Sequence, residues 1–398
     1  MIAVGIDVSK SKSTVAVLDS TGSIRTKPYT IQHTHEDLDS LSRYLKESDE
    51  PVSIVMESTG HYHYPVLNKL HADGFPVFIV NPFLMKKYGE SDLHKSKTDN
   101  GDALMIARFA LEKSYLLEPY SQTEQKFEDL KFLARQYSQR VSCLATNKVY
   151  LQNLLDETMP GISAAFAGGV SFTDSSLFVL FIKRFQSYDR IAKMSRARYM
   201  EAFERLLKKA RCRNGMTKGL TVYEMAKQKV TTRGTNEYML MAQDQCIDLI
   251  VRLQEAAEKL ILRMQNIAET VPEYQILKNM KGVGRKLGPL ILAEIGDVRR
   301  FKSGKALNAY AGNDVALYQS GIYESRTRHI SKRGNAALRK YCFEVMQALK
   351  ITKPLNDPVY LFMLRKEQEG KPYNVAKMAG VNKFLRIFYA RAMELYRE

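Results

Sequence analysis

The sequence of 398 residues predicts an α/β N-terminal region followed by a mainly helical remainder. Three observations predict this fold class. Short apolar segments alternate with helix-like segments as far as residue 115, and long runs with a period of 3.6 residues follow them. The charge divides at a similar place, since residues 1–110 carry 12 Lys and Arg against 14 Asp and Glu, whereas the whole chain has a net charge of +17. We therefore expect several domains, of which only the later ones are strongly basic.

Composition excludes several classes of protein. With 45% hydrophobic residues the chain can bury extensive cores, so it is not intrinsically disordered. Its apolar runs are shorter than the roughly 18 residues of a membrane span, and it opens on a strand-like segment rather than a signal peptide. We therefore expect a cytoplasmic protein without a membrane partner. The four cysteines lack metal-ligand spacing, which argues against a disulfide framework or a zinc site.

The first region, residues 1–115, is predicted to form a mixed sheet with helices on both faces. Three strands joined by tight turns begin it, and Pro28 marks the third as an edge strand. The predicted strands are Ile2–Asp7, Ser13–Asp19, Ile24–Thr30, Val52–Met56 and Val77–Val80, and the predicted helices lie at about 36–47, Tyr62–Asp73 and Asp99–Glu112. A three-stranded meander followed by βαβα units is the arrangement of RNase H-like domains.

The middle of the chain is predicted to contain two long helices, in segments 116–160 and 239–273. Apolar residues recur at helical spacing from Phe127 to Leu155, and again through Cys246, Leu249, Leu253, Ala257, Leu260, Met264 and Ile267. The similar lengths favour an antiparallel hairpin or a seam between two subunits, so we expect a coiled-coil-like region. Between the two helices, segment 161–238 is a basic insert whose fold the sequence does not predict.

A mainly helical C-terminal domain is predicted for residues 274–398. It opens with Lys281-Gly282-Val283-Gly284 before the helix-like segment Leu287–Ile295, which is a helix-hairpin-helix pattern. The exposed N–H groups of such a turn can hold a phosphate, and Arg285 and Lys286 stand beside it. This context favours a DNA-backbone contact over a plain tight turn. Segments 334–350 and 373–396 are predicted to form further helices.

Two segments carry much of the positive charge. Residues 183–233 hold 15 basic and 4 acidic side chains, and residues 281–340 hold 13 and 4. Segments of this density usually face a polyanion, so nucleic acid is the leading partner. The alternative is a solvated surface that serves only solubility.

Four carboxylates stand where a metal site could form. Asp7 and Glu57 each end an apolar strand, and binding sites gather at the carboxyl ends of strands. Asp99 and Asp102 lie three residues apart at the start of a helix, and hence on one face. Each acid alone could simply cap a turn or a helix. Together they can bind one or two hard cations, which catalyse in-line phosphoryl displacement, whereas without a metal their charges would repel one another.

The segment around Ser320 combines a hydroxyl, a glycine and cations. Ser320-Gly321 is followed by Arg326, Arg328, His329, Lys332 and Arg333. Guanidinium groups can neutralise a phosphodiester, and a serine can attack it once a base or a metal assists deprotonation. Spacing alone leaves two interpretations open. Ser320 is a nucleophile, or it begins a turn while the cations hold DNA.

Together these motifs resemble a family of insertion-sequence transposases related to the Piv DNA invertase. Its members carry an acidic DEDD set in a RuvC-like domain and a separate C-terminal transposase domain. The matching residues are Gly5-Ile6-Asp7, Glu57-Ser58-Thr59-Gly60, Asn81-Pro82, Lys97-Thr98-Asp99 with Asp102-Ala103, Gly282-Val283-Gly284, Ala311-Gly312, Tyr318 with Ser320-Gly321, and Ile330-Ser331-Lys332-Arg333-Gly334-Asn335. Each motif alone is weak, but their order and spacing make the resemblance specific.

The resemblance implies a recombinase that cuts and rejoins donor and target DNA through a Holliday junction. In such an enzyme Asp7, Glu57, Asp99 and Asp102 bind Mg²⁺, with Mn²⁺ as an alternative, and Ser320 forms a covalent phosphoserine link to DNA. It also implies dimers and tetramers and a structured non-coding guide RNA. The residues expected to contact nucleic acid are Lys97, Thr98, Lys281, Gly282, Gly284, Arg285, Lys286, Tyr318, Arg326, Arg328, Lys332 and Arg333.

Some residues depart from the family pattern and leave alternatives open. Asn313-Asp314-Val315 replaces a Leu-Thr-Pro type sequence, the insert is longer than a plain helical connector, and Ser325 and Ser331 are rival hydroxyls. One alternative is a RuvC-like junction nuclease that uses metal and water without a covalent intermediate. A second is an ATPase of the actin and sugar-kinase fold, suggested by Gly5-Ile6-Asp7-Val8-Ser9 followed by Ser13-Thr14, although neither its second phosphate loop nor its glycine pair over adenosine is found. A third is a non-catalytic nucleic-acid scaffold or repressor.

Overall fold

The computed structural model describes residues 1–58, 60–90, 98–120, 124–166, 171–232, 236–314, 319–320, 323–324 and 329–397. The chain divides into two compact units, residues 1–122 and residues 123–398. In the described ranges, no helix is both long enough and apolar enough to cross a membrane.

The first unit is built on a five-stranded mixed sheet. Its elements are β1 (Ile2–Val8), β2 (Lys12–Leu18), β3 (Ile24–Gln32), α1 (His35–Lys46), β4 (Val52–Glu57), α2 (Tyr64–Ala72), β5 (Val77–Val80), α3 (Pro82–Gly89) and α4 (Asp99–Lys113). The strand order is β3-β2-β1-β4-β5, with β1 antiparallel to β2 and parallel to β4. Pro28 lies on the edge strand β3, as predicted. The mixed sheet with helices on both faces confirms the predicted RNase H-like fold class.

Helix α3 was not predicted. Its N-terminus is capped by the Asn81 side chain, which accepts a hydrogen bond from the Phe83 amide.

Alternation along β1 decides which helices cover each face of the sheet. Ile2, Val4 and Ile6 join the apolar cluster that includes residues of α1 and α2, whereas Ala3 joins the cluster that includes α4. Gly5 shares the α4 face, and a Cβ placed on it would lie 2.2 Å from the Ala107 amide nitrogen and 2.3 Å from the Ala103 carbonyl oxygen. Helix α4 therefore approaches β1 more closely than any side chain on Gly5 would allow.

Gly5→Ala is expected to destabilise the first unit by about 3 kcal/mol, because the added methyl overlaps the backbone of α4 and a helix cannot yield locally. Urea unfolding followed by circular dichroism measures this loss. Gly74→Ala is the control, since a Cβ on Gly74 would meet no atom within 4 Å. The only cost of that substitution is its backbone φ of +90°, which disfavours a side chain. That variant is expected to lose about 1 kcal/mol. Equal losses in the two variants would contradict the close helix–strand contact.

The second unit is almost entirely helical in its described part. Its elements are α5 (Gln125–Thr158), α6 (Ile162–Ala165), α7 (Leu177–Phe185), α8 (Tyr188–Ala192), α9 (Arg196–Lys209), α10 (Met216–Gln228), α11 (Glu237–Ala268), α12 (Pro272–Asn279), α13 (Leu287–Ile295), α14 (Gly304–Tyr310), β6 (Gln319–Ser320), β7 (Tyr323–Glu324), α15 (Ala336–Thr352), α16 (Pro358–Gln368) and α17 (Tyr373–Glu394).

The two long helices α5 and α11 pack against each other antiparallel within the chain. Thr158 at the end of α5 donates a 3.0 Å hydrogen bond to Gln243 near the start of α11, and Leu130 near the start of α5 shares a core with Ile261 near the end of α11. The hairpin alternative is therefore the one observed. The predicted apolar stripe of α11 was wrong at Leu249, which is 45% exposed, because the neighbouring Ile247 and Ile250 are buried instead.

The basic insert forms a small helical bundle with its own core. Helices α7 to α10 bury an aromatic cluster against the far end of the α5–α11 pair. Its fully buried rings belong to Phe166, Phe178, Phe181, Tyr188, Tyr199 and Phe203. The insert is therefore folded rather than a loop.

Candidate active site

Asp7 and Glu57 occupy matching positions on neighbouring parallel strands. In the β1–β4 register Gly5 pairs with Val55 and Ile6 with Met56. Asp7 and Glu57 follow these pairs, so they lie side by side, at the last but one residue of β1 and the last residue of β4. Val55 belongs to the apolar cluster of α4, and Glu57, two residues further on, shares its face. Both carboxylates are half-buried on the α4 side of the sheet.

The direction of α4 brings Asp99 and Asp102 to the same end of the sheet. Ala103 and Ala107 of α4 lie against Gly5, in the middle of β1. Leu111, further along α4, lies 3.8 Å from a Cβ placed on Gly22, in the turn beside the amino end of β1. Helix α4 thus begins near the carboxyl ends of β1 and β4. All four predicted carboxylates share one edge and one face of the sheet.

The start of α4 is fixed by the Thr98 side chain, which accepts a 3.1 Å hydrogen bond from the Gly101 amide. Asp99 is exposed and Asp102 is half-buried in the first turn, where a negative charge is favoured by the helix dipole. Lys97 and Thr59 lie outside the described residues.

The donor chemistry of this edge fits a hard divalent cation, because carboxylate oxygens are its preferred ligands. Asp7, Glu57, Asp99 and Asp102 would hold it. In the part of the chain that the structure describes, no three His, Cys, Asp or Glu side chains lie close enough together to form a metal-binding group. The four carboxylates therefore share an edge of the sheet but do not converge closely enough to form a complete set of metal ligands.

Sequence reasoning missed other polar residues at this edge. Thr14 is buried on β2 directly opposite Asp7, on the same face of the sheet. On the other face, the buried Ser13 lies 2.8 Å from the Nε2 atom of His33, and burial lowers the pKa of His33. Burial, followed by the charge of His61, also lowers the pKa of His63, in the loop after Glu57. Thr14 and Ser13 reach this edge through the pairing of β1 with β2, which no local sequence pattern predicts.

The described residues on either side of the segment that carries Ser320 meet at a tight backbone crossing. A Cβ on Gly334 would lie 2.2 Å from the Tyr310 carbonyl oxygen and 2.3 Å from the Gly312 amide nitrogen. Backbone hydrogen bonds close the crossing, since Lys332 donates to Gly312 at 3.0 Å and Asn335 donates to Tyr310 at 2.6 Å. We call residues 310–314 and 331–335 the neck.

Beyond the neck, Ser320 lies in the two-residue strand β6 and its backbone pairs with Tyr323 of β7. The Ser320 side chain lies outside the described part of the structure, as do residues Tyr318, Arg326 and Arg328. The rival hydroxyl of Ser331 donates a 2.5 Å hydrogen bond to Asp314 within the neck.

Two regions of the chain match models of known protein families. Residues 4–160 match the IS110 DEDD family model, described as "Transposase", and residues 274–360 match the model "Transposase IS116/IS110/IS902 family". The chain belongs to the IS110 family of transposases. It is therefore an enzyme of DNA recombination. The first model spans all four carboxylates, and the second spans Ser320 and the neck.

Named relatives of this IS110-family transposase come from two bacterial genera. The mini-circle putative transposase for IS117 of Streptomyces coelicolor is 25% identical over 330 residues, which cover 80% of this chain and 77% of that protein. The pilin gene-inverting protein of Moraxella bovis is 34% identical over 115 residues, 29% of this chain and 35% of its own length. Among solved structures, T. thermophilus RuvC in complex with a Holliday junction substrate matches with a TM-score of 0.23 and 14% identity, over 30% of this chain and 99% of that one.

The neck of the transposase is anchored to its helical core by a buried carboxylate. Glu294 on α13 is 2% exposed and accepts hydrogen bonds from Asn335 at 2.7 Å and from Arg135 of α5 at 3.2 Å. Asn335 also caps α15 by accepting from the Leu338 amide at 2.9 Å. Sequence reasoning missed Glu294 and Arg135 because 41 and 159 residues separate the bonded partners along the chain.

Gly334→Ala in this transposase is expected to lower stability by about 2 kcal/mol and to reduce strand cleavage strongly, because a methyl at the crossing separates the two strands of the neck. Thermal unfolding and a cleavage assay measure the two effects. Gly304→Ala is the control, since a Cβ there would meet its nearest atom at an ordinary 3.4 Å. If Gly334→Ala behaves like Gly304→Ala, the neck does not position the serine segment.

The predicted helix-hairpin-helix turn lies between α12 and α13, as expected. Gly282 adopts a φ of +79° and packs against α15, where a Cβ would lie 2.9 Å from the Val345 carbonyl oxygen. The cations beside the turn contact α11: Lys286 pairs with Glu258 at 2.5 Å, and Arg285 donates to Gln265 at 3.2 Å. Both side chains therefore have protein partners in addition to the phosphate predicted for them.

Proposed function

We propose that this transposase cuts and rejoins DNA strands with Mg²⁺ held by Asp7, Glu57, Asp99 and Asp102 and with Ser320 as the nucleophile. The observation that carries the proposal is the placement of the four carboxylates. Register puts Asp7 beside Glu57, and the direction of α4 brings Asp99 and Asp102 to the same edge and face of the sheet.

The proposed step exchanges one phosphoester for another. The Oγ atom of Ser320 attacks phosphorus, an Oγ–P bond forms, and one P–O bond to deoxyribose breaks. The serine proton leaves with the released hydroxyl end of the DNA. When bound, the metal supplies charge for the transition state and for the leaving oxygen. Because the phosphoserine keeps the energy of the broken bond, a hydroxyl end of a second strand can reverse the attack and rejoin DNA without an external energy source.

The residues of the second unit support the serine role by holding its segment. The neck, closed by backbone hydrogen bonds and anchored to Glu294, fixes where the segment begins and ends. Lys332, a residue of the neck, is exposed and has a backbone φ of +54°. The exposed Arg333 follows it. Guanidinium and ammonium groups there would neutralise a phosphodiester.

The proposal extends to a guide RNA and to a homo-oligomer. The folded basic insert, outside both family models, offers a second cationic surface for an RNA partner. The α5–α11 pair leaves large apolar side chains exposed, among them Phe132 at 64%, Val149 at 63% and Tyr238 at 69%. Apolar side chains left on long paired helices suit a seam between subunits, as a dimer or tetramer requires.

A denaturing gel tests the proposed function. The full chain is incubated with labelled DNA that contains the element junction, co-expressed flanking RNA and Mg²⁺. A slow-migrating protein–DNA adduct that protease converts to a short peptide–DNA product is the expected result. Cleavage without an adduct would instead support the metal-only junction nuclease, and binding without any cleavage would support a scaffold.

A further inference from the structure

A large cavity in the described part of the second unit lies against α17, beside the neck. Its volume is about 790 Å³, within the range of ligand sites. Its floor is a face of α17, and Phe362 of α16 and Ile330 also line it. Asn313 and His329, which border the described ends of the serine segment, also line it. We call this cavity the α17 groove.

The floor of the groove is a ridge of α17 with a spacing of four residues. Asn374, Met378, Asn382 and Arg386 follow one another along it, over about 18 Å of helix. A second ridge beside it presents Val375, Ala379, Lys383 and Ile387. The two ridges together place apolar side chains beside amides and cations along the groove.

Four polar side chains on the α17 side of the groove have no ion-pair or hydrogen-bond partner among the described residues. Lys383 and Arg386 are exposed and form no ion pair with any described residue, and no acidic residue is among the described ones that line the groove. The side chains of Asn374 and Asn382 likewise form no hydrogen bond within the described ranges. By contrast, the buried Asn313 amide donates to the Met378 carbonyl oxygen at 3.2 Å, which ties the neck to the groove floor.

We propose that the α17 groove binds a short single-stranded segment of DNA next to the serine segment. Apolar and aromatic walls suit the faces of unstacked bases, amides suit base edges, and Lys383 and Arg386 suit the phosphates. A duplex keeps its base faces stacked and would leave the apolar side chains of the groove without a partner. The inference rests on the proposed function, because it supplies the strand that Ser320 attacks.

The test measures binding instead of chemistry, in the full chain carrying Ser320→Ala. Fluorescence anisotropy compares a labelled oligothymidine strand with a labelled hairpin duplex over a range of salt concentrations. Lys383→Ala with Arg386→Ala is expected to weaken single-strand binding about tenfold or more and to lower the slope of log K against log salt by about 1.4, or about 0.7 per phosphate contact. Asn374→Ala with Asn382→Ala is expected to weaken single-strand binding with the slope unchanged.

Matched controls are Lys371→Ala and Gln368→Ala, exposed residues of the same region that do not line the groove. They are expected to change neither affinity nor slope. Equal weakening of duplex binding by the groove variants, or no weakening at all, would overturn the proposal. Stronger, equally sensitive binding of oligouridine would reassign the groove to RNA and overturn it too. Since Ser320 is absent throughout, a failure of the adduct assay leaves this result intact.

Discussion

Replacing Asp7 by asparagine is expected to lower the rate of DNA strand cleavage by about a thousandfold or more, equivalent to about 4 kcal/mol of transition-state stabilisation. Asparagine preserves size and shape but not the negative charge that a divalent cation requires. Because Asp7 lies near the end of β1 beside Glu57 and is only half-buried, the change is expected to leave the sheet intact. The initial rate on labelled element-junction DNA with Mg²⁺ and flanking RNA measures the effect.

Asp19→Asn is the matched control for Asp7→Asn. Asp19 also follows a strand, but β2 runs antiparallel to β1, so Asp19 lies at the opposite edge of the sheet. Its carboxylate accepts hydrogen bonds from the Thr21 hydroxyl and from the Ser23 and Thr21 amides in a turn, which hold the pKa of Asp19 below its usual value. Cleavage within about twofold of wild type is expected.

Mg²⁺ should raise the melting temperature of the wild type and of Asp19→Asn but not of Asp7→Asn. Cleavage by Asp7→Asn at the wild-type rate would contradict the metal proposal.

The sequence could predict this edge because each cue is local. Asp7 and Glu57 follow short apolar runs, and parallel strands bring their carboxyl ends together whatever the rest of the chain does. The i, i+3 spacing of Asp99 and Asp102 needs only a helix. The presence of Thr14 opposite Asp7 depends on the β1–β2 register, and that of His33 depends on a further hairpin. Neither register is written in a local pattern.

Features that depend on distant contacts were not predictable. The insert helices α7 to α10 are short, and their aromatic residues find partners only when the bundle closes. The neck depends on Gly334 meeting Tyr310 and on Asn335 meeting Glu294, contacts between residues far apart in the chain. Leu249 was mispredicted because helical spacing alone fits several neighbouring sets of apolar residues. Packing in the folded chain decides that Ile247 and Ile250 are buried and Leu249 is exposed.

Ser320→Ala is expected to remove the covalent protein–DNA adduct and to lower strand joining by about 10⁴-fold or more, the scale seen when a nucleophile is deleted. Alanine is small and keeps the backbone N–H and C=O that β6 uses to pair with Tyr323 of β7, so the fold is expected to persist. The denaturing gel for adduct, run beside thermal unfolding, measures both. An adduct that survives Ser320→Ala would exclude this residue as the nucleophile.

Ser331→Ala separates the two hydroxyls of the same segment. The Ser331 hydroxyl is engaged with Asp314 in the neck, so its removal is expected to cost about 1 kcal/mol of stability while the adduct persists. An adduct lost in Ser331→Ala but kept in Ser320→Ala would move the nucleophile into the neck. Cleavage without an adduct in the wild type and in both variants would leave only metal-activated water. Hydrolysis would then have lost the energy of the broken phosphoester bond, so joining the strands would require an external energy source. Whether that bond energy is kept in a phosphoserine or lost to water therefore distinguishes a recombinase from a nuclease.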